Sequence, residues 1–236
     1  MMNDLAPART IAIGDIHGCA TALAALIEAV APTNRDTLVP LGDYVDRGPD
    51  SRGALDQLVA LARRCTLVPL LGNHEEMLLA ARRDPGALQP WLLSGGVATL
   101  DSYGFGTGPA GLPAEHVAFI ESCVSFHQTP THFFVHATYR ADMPLEDQPP
   151  LWLRWESLRD GLPEPHVSGK VAVVGHTPQP GGEILDLAHL KCIDTCCYGG
   201  GWLTALDAQS GRFWQANEQG EWRGGFLSSA DKSADH

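Results

Sequence analysis

Three stretches near the start decide the fold: Thr10-Ile-Ala-Ile-Gly-Asp-Ile-His-Gly18, Thr37-Leu-Val-Pro-Leu-Gly-Asp-Tyr-Val-Asp-Arg-Gly48 and Thr66-Leu-Val-Pro-Leu-Leu-Gly-Asn-His-Glu75. Each is a short apolar run that breaks at glycine into a polar tip. Runs of this length and composition read as buried strands. Between them, residues 20–30 carry Leu23, Leu26, Ile27 and Val30 on one helical face, and residues 51–64 do the same with Leu55, Leu58, Val59 and Leu61. A third helix passes through Met77, Leu78 and Leu79. Strand, polar tip and helix, repeated, predict an α/β fold of right-handed crossovers with a largely parallel sheet. The tips fall at strand C-termini, the edge where open α/β sheets bind ligands.

Outward from this core the pattern changes. Residues 84–124 hold short helical pieces around a glycine-rich stretch, Gly104 to Gly111, and read as a cap or insertion. Phe126 to His136, broken at Pro130, predicts a hairpin or the start of a strand. A loop over residues 142–150 leads to a short helix containing Trp152-Leu-Arg-Trp155, and Val171 to Val174 is another buried strand, ending in Gly-His. Short runs at 183–187, 191–194, 202–206 and 212–215 predict an antiparallel meander, and the polar residues 217–236 a frayed tail. With 236 residues and no long linker or repeat, the chain reads as a single domain, 1–236.

Lys and Arg total 16 against 28 Asp and Glu, a formal charge of -12. Such a surface repels phosphate backbones, which argues against a broad nucleic-acid or anionic-membrane footprint. The six cysteines form no C-x-x-C pair, the start MMNDLAPART has no apolar leader core, and no apolar run reaches membrane-spanning length. A reducing cytoplasm is the expected setting.

The tips gather carboxylate, imidazole and amide groups, a donor set suited to Mn, Fe, Zn or Mg. Two more histidines, His136 and His176, close strands of their own. One Asp at a strand end is commonly a helix cap. Five such tips, each after an apolar run, are not explained by capping.

In order, Gly14-Asp-Ile-His-Gly18, Gly42-Asp-Tyr-Val-Asp-Arg-Gly48, Gly72-Asn-His-Glu75, the strand-end His136 and Gly175-His-Thr177 resemble the motifs of the calcineurin-like metallophosphoesterases. More narrowly, they resemble the serine/threonine phosphoprotein phosphatase family in its compact bacterial and phage form. The resemblance implies a four-layer α-β-β-α sandwich and two divalent ions, manganese foremost, with Fe, Zn or Mg as alternatives. It implies that Asp15 and His17 bind the first ion, that Asp43 bridges both, and that Asn73, His136 and His176 hold the second. It further implies in-line attack on phosphorus by a hydroxide held between the ions. By the same resemblance His74 protonates the leaving alkoxide and Asp46 orients its ring. Arg47 clamps the phosphate, with Arg154 of Trp152-Leu-Arg154 as a second arginine and Arg140 and Arg159 as neighbouring alternatives.

Two departures stand out. His136-Ala-Thr-Tyr139 lacks the glycine the family places after this histidine, and after Ile193-Asp-Thr195 the family glycine is Cys196, followed by Cys197. The vicinal cysteines read as two small packed side chains, with a redox switch as the alternative. The other histidines are expected to be surface or structural, and Trp152, Trp155, Trp202, Trp214 and Trp222 to pack core and cap. The implied activity is hydrolysis of phosphoserine or phosphothreonine in proteins. A symmetrical dinucleoside-tetraphosphate hydrolase, a small-molecule phosphoesterase and a catalytically dead binding module are the alternatives. The cap has no Arg or Lys after Asp84, a poor composition for a polyphosphate groove. The oligomeric state stays open.

Overall fold

The computed structural model describes residues 8–104 and 108–227. Strands β1 (Thr10–Ile13), β2 (Thr37–Pro40) and β3 (Thr66–Leu67) lie side by side in parallel, joined by helices α1 (Ala20–Val30) and α2 (Ser51–Ala62). Helix α3 (Asn73–Arg83) follows, and the cap carries α4 (Leu88–Trp91), α5 (Val97–Tyr103) and α6 (Ala114–Glu121). Then come the hairpin β4 (Phe126–Gln128) and β5 (His132–Val135), helix α7 (Pro150–Arg154) and β6 (Val171–Val174). The chain ends in β7 (Leu185–Leu187), β8 (Leu190–Cys192), β9 (Leu203–Asp207), β10 (Arg212–Ala216) and β11 (Trp222–Phe226).

These strands make two sheets, ordered β11-β10-β9-β1-β2-β3 and β4-β5-β6-β8-β7. Ala12, Val39 and Leu41 from the first meet Phe134, Val173 and Ile193 from the second, all fully buried. The outer face of the first sheet packs on α1, α2 and the cap through Leu23, Leu26, Leu55, Leu58 and Trp91. The outer face of the second packs Phe133, Val135 and Val174 against Tyr139, Leu145 and Leu153. The layering is α-β-β-α, with a thin fourth layer.

Three expectations need correction. The sheets are mixed rather than largely parallel: β9 runs antiparallel to β1, and β10 and β11 continue that side. The four late runs are not one meander. β7 and β8 complete the second sheet, where β8 pairs in parallel with β6, while β9 and β10 belong to the first. The reason is the segment from Ile193 to Trp202, which crosses between the sheets. The stretch from Asn217 is a turn and a strand up to residue 227. Asn217 Oδ1 accepts from the Gln219 and Glu221 N–H groups, turning the chain so that β11 covers the edge of β10. The rest of the expected tail lies outside the described residues, as do residues 105–107 of the glycine-rich stretch.

Of the tryptophans expected to pack inside, Trp214 is buried, whereas Trp155 and Trp222 are exposed. Among the described residues no helix is long and apolar enough to cross a membrane.

Candidate active site

The three tips interlock at the C-terminal ends of β1, β2 and β3. Asp43 carbonyl oxygen accepts from Ile16 and His17 N–H, and Tyr44 carbonyl from Gly18 N–H. Glu75, in the first turn of α3, folds back to accept from Gly72, Asp43 and Tyr44 N–H at 3.1, 2.8 and 2.7 Å. This lattice holds five non-glycine residues in the left-handed region: His17 (φ 45°), Asp43 (52°), Asp46 (72°), Arg47 (68°) and His176 (62°). Each such residue stores about 1–3 kcal/mol, a strain that survives only where the surroundings over-determine it. Gly48 is required for contact: a Cβ there would lie 1.9 Å from the His17 carbonyl oxygen.

Three of the site's histidines are oriented by backbone carbonyls. His17 Nδ1 and His136 Nδ1 lie 2.9 Å from the Val45 and Leu41 carbonyl oxygens, and His176 Nε2 lies 3.0 Å from that of Trp155. A carbonyl only accepts, so each of these nitrogens carries the proton and the other ring nitrogen presents a lone pair. Burial above all pushes His17 down to about 3 and His176 to about 4, and lowers His136 as well, so the rings are neutral.

The lone pairs converge. His136 Nε2, His176 Nδ1 and Asn73 Oδ1 lie 3.0–3.2 Å from one another with no proton to share. Asp43 turns one oxygen to each lobe: Oδ2 is 3.5 Å from His17 Nε2, and Oδ1 is 3.4 Å from His136 Nε2. His17–Asp43–His74 and Asp43–His136–His176 each form a compact set of donor atoms that could hold a metal ion.

Asp15 is buried beside this set, its carboxylate accepting from His176 N–H at 3.1 and 3.0 Å. Burial first, then the charges of Asp194 and Asp43, hold Asp15 well above the ordinary carboxylate range. Burial also pushes Asp194 up to about 7, and its Oδ2 has no hydrogen-bond partner. Crowded anions, an orphaned carboxylate oxygen and facing lone pairs fit hard-to-borderline divalent cations. Arg47 already offers a cation to His17 Nε2, with its guanidinium nitrogen at 3.0 Å.

His74 Nε2 belongs to the His17–Asp43–His74 set, but its ring is also tied to a carboxylate outside that set. Its Nδ1 is 2.7 Å from Asp46 Oδ2, and its Nε2 is 3.9 Å from Asp43 Oδ2. Burial pulls the imidazole down, but the Asp43 charge and the Asp46 hydrogen bond outweigh it, and His74 lies above its ordinary value. Arg154 sits on the rim, 3.5 Å from Glu76 of α3 and one residue before the Trp155 carbonyl that fixes His176.

The model of the calcineurin-like phosphoesterase family matches residues 8–204. This chain belongs to that family. The phosphoesterase is 34% identical over 217 residues to serine/threonine-protein phosphatase 1 of Salmonella typhimurium, covering 84% of this chain and 90% of that protein. It is 37% identical over 89 residues to a symmetrical bis(5'-nucleosyl)-tetraphosphatase of Burkholderia pseudomallei, covering 38% of this chain and 31% of that one. Its fold is like that of a protein serine/threonine phosphatase from Saccharomyces cerevisiae, with TM-score 0.61, 14% identity, and 97% and 82% of the two chains covered.

Several residues of the phosphoesterase site carry no role that the sequence alone assigns. Trp91 Nε1 donates to both Asp46 oxygens at 3.1 and 2.9 Å, and Thr99 Oγ1 donates to Asp46 Oδ1 at 2.6 Å. The cap thus closes over the His74–Asp46 pair, and Gly95 lets it approach, its carbonyl accepting from Arg47 N–H at 3.2 Å. Tyr198 packs edge-on against His17 at 4.8 Å and accepts from Arg47 at 3.3 Å. Glu75 lies inside the Gly72–Glu75 motif and Asp194 inside Ile193-Asp-Thr195, whereas Trp91, Thr99 and Tyr198 belong to no motif.

Proposed function

We propose that this phosphoesterase hydrolyses phosphomonoesters, foremost phosphoserine and phosphothreonine in proteins, with two divalent ions, manganese before Fe, Zn or Mg. The observation that carries the reading is Asp43, whose two oxygens face two separate donor lobes beside a histidine–carboxylate pair. Asp15, His17 and Asp43 would hold one ion; Asp43, Asn73, His136 and His176 the other. When bound, the ions supply Lewis-acid polarisation of the phosphoryl oxygens and a nucleophile active at neutral pH.

The chain's own residues do the rest. Arg47, exposed beside His17, turns its fork to the phosphate oxygens. Arg154 adds rim charge from the α7 side. His74 holds a proton on Nε2 and delivers it to the leaving alkoxide, while its Nδ1 keeps its own proton and donates a hydrogen bond to Asp46. Trp91 and Thr99 keep Asp46 from turning away.

The length of the match to the Salmonella phosphatase supports a protein substrate. A second reading, hydrolysis of symmetrical dinucleoside tetraphosphates, is favoured by the local match over 89 residues. The test is kcat/KM with Mn2+ on phosphoserine and phosphothreonine peptides, p-nitrophenyl phosphate and diadenosine tetraphosphate. Phosphopeptides should lead. A lead of about tenfold for the tetraphosphate, about 1.4 kcal/mol of transition-state preference, would install the second reading.

A further inference from the structure

Behind the His17 tip lies a thiol pair that the phosphate chemistry does not use. Cys19 is the N-cap residue of α1, and Cys197 opens the short turn Cys197–Gly199; they are 0% and 3% exposed. Their sulfurs and a Glu218 carboxylate oxygen lie within 4.8 Å of one another. Glu218 is already engaged by the backbone. Its Oε1 accepts from Ala22 N–H at 3.1 Å, capping a helix whose own N-cap side chain makes no cap bond. That leaves the two sulfurs, both free thiols, as a pair.

Both ends of the pair touch the site. Cys19 is two residues beyond His17. Tyr198 follows Cys197, packs on the His17 ring and carries the Arg47 guanidinium 5.0 Å above its own ring. A disulfide closes its sulfurs to about 2.05 Å, so sulfurs now up to 4.8 Å apart must draw together. Cys19 is anchored at the buried start of α1. Cys197 sits in a short hydrogen-bonded turn followed by Gly199, Gly200 and Gly201, with Gly200 at φ 87°, so the backbone shift that closure requires falls on residues without a Cβ.

We propose that Cys19 and Cys197 form a reversible disulfide under hydroperoxide, displacing Tyr198 and its partner Arg47 and weakening phosphate binding until a thiol reductant reopens it. Cys197, the thiol with residual exposure, attacks one peroxide oxygen. The O–O bond breaks, the sulfur becomes a sulfenic acid, and one water leaves. Cys19 sulfur then attacks Cys197 sulfur, the S–O bond breaks, and the second water carries away the remaining proton. Two thiols lose two electrons and the peroxide gains them. The sequence pointed to Cys196 and Cys197 as a redox candidate; the fold pairs Cys197 with Cys19 instead.

The experiment treats the Mn2+-loaded protein with hydrogen peroxide, removes the oxidant with catalase, and combines non-reducing peptide mapping with kinetics on p-nitrophenyl phosphate. The expected result is a linked Cys19–Cys197 peptide and a KM raised about fivefold or more, the scale of a weakened charge-assisted contact, both reversed by dithiothreitol. Cys19→Ser and Cys197→Ser should keep reduced-state activity, form no link and hold their KM through peroxide, while Cys196→Ser should still switch. If a serine variant does not fold, alanine at the same position carries the same test. A Cys196–Cys197 link, no link at complete thiol oxidation, or an unchanged peroxide response in Cys19→Ser would overturn the proposal. The mapping needs no substrate, so it is read independently of the substrate panel.

Discussion

Asp43 and His74 lie within 4 Å of each other, yet their substitutions should fail in different ways. Asp43→Asn replaces one anionic oxygen of a group shared by both lobes with a neutral amide nitrogen, so it should lower metal content and activity together. Metal analysis after Mn2+ loading should fall clearly below that of the parent protein. His74→Asn should keep the metals and lower turnover of alkyl phosphates by about 10²–10⁴, the range of general acid catalysis, with a smaller loss for aryl phosphates. The pH profile follows from the sign of the His74 shift. An acid must be protonated, and the Asp43 charge and the Asp46 hydrogen bond hold His74 above its ordinary value. Activity on alkyl phosphates should therefore fall on the alkaline side, later than an ordinary histidine would dictate, and Asp46→Asn should move that fall to lower pH. A fall at the same pH in both proteins would remove Asp46 from this role. That carboxylate, imidazole and amide groups gather at the strand ends was legible in the sequence, because each apolar run fixes where its polar tip falls. Their assignment to two ions came from the family resemblance and belongs to the proposal. Glu75 and Asp194 were not legible, since a buried organising carboxylate looks like any helix-start or strand-end acid until its partners are known.

At the scale of elements, the strand–helix units were readable because burial imposes a period, and α1 runs from Ala20 to Val30 as its apolar spacing requires. The sheet assignment of the last strands was not readable. β8 and β9 are both short runs, and which sheet each joins depends on partners distant in sequence. The cap was legible as an insertion, but its role was not, because a lone tryptophan in α4 carries no motif. That role is testable. Trp91→Phe keeps the buried ring and removes the N–H that donates to Asp46. A hydrogen bond to a charged group contributes about 1.5–3 kcal/mol, and even the lower figure corresponds to about tenfold in rate when it orients a catalytic group. The expected outcome is kcat lower by about tenfold with KM and metal content unchanged. A loss confined to thermal stability would make Trp91 packing alone.

At the scale of the whole molecule, the donor residues come from both sheets. Asp15, His17, Asp43 and Asn73 follow strands of the first, and His136 and His176 follow β5 and β6 of the second. Direct ties between these loops are few: the Gly175 N–H to the His136 carbonyl lies within the second sheet, while His176 N–H to Asp15 and His136 Nδ1–H to Leu41 cross between the two. Cations held by donors from both sheets would therefore clamp the sandwich at its functional edge. Each ion present at about 100 times its dissociation constant adds about 2.7 kcal/mol to folding. Two ions add about 5 kcal/mol, and in a chain of this size each kcal/mol raises the melting temperature by about 2–4 °C. Chelation should thus lower the melting temperature by about 10 °C or more, and Mn2+ should restore it. Hydrogen exchange should place the lost protection at the ends of β2, β5 and β6 rather than at α1 or β10. A chelated protein that loses activity yet melts at the same temperature would mean that the ions sit on the edge without joining the sheets.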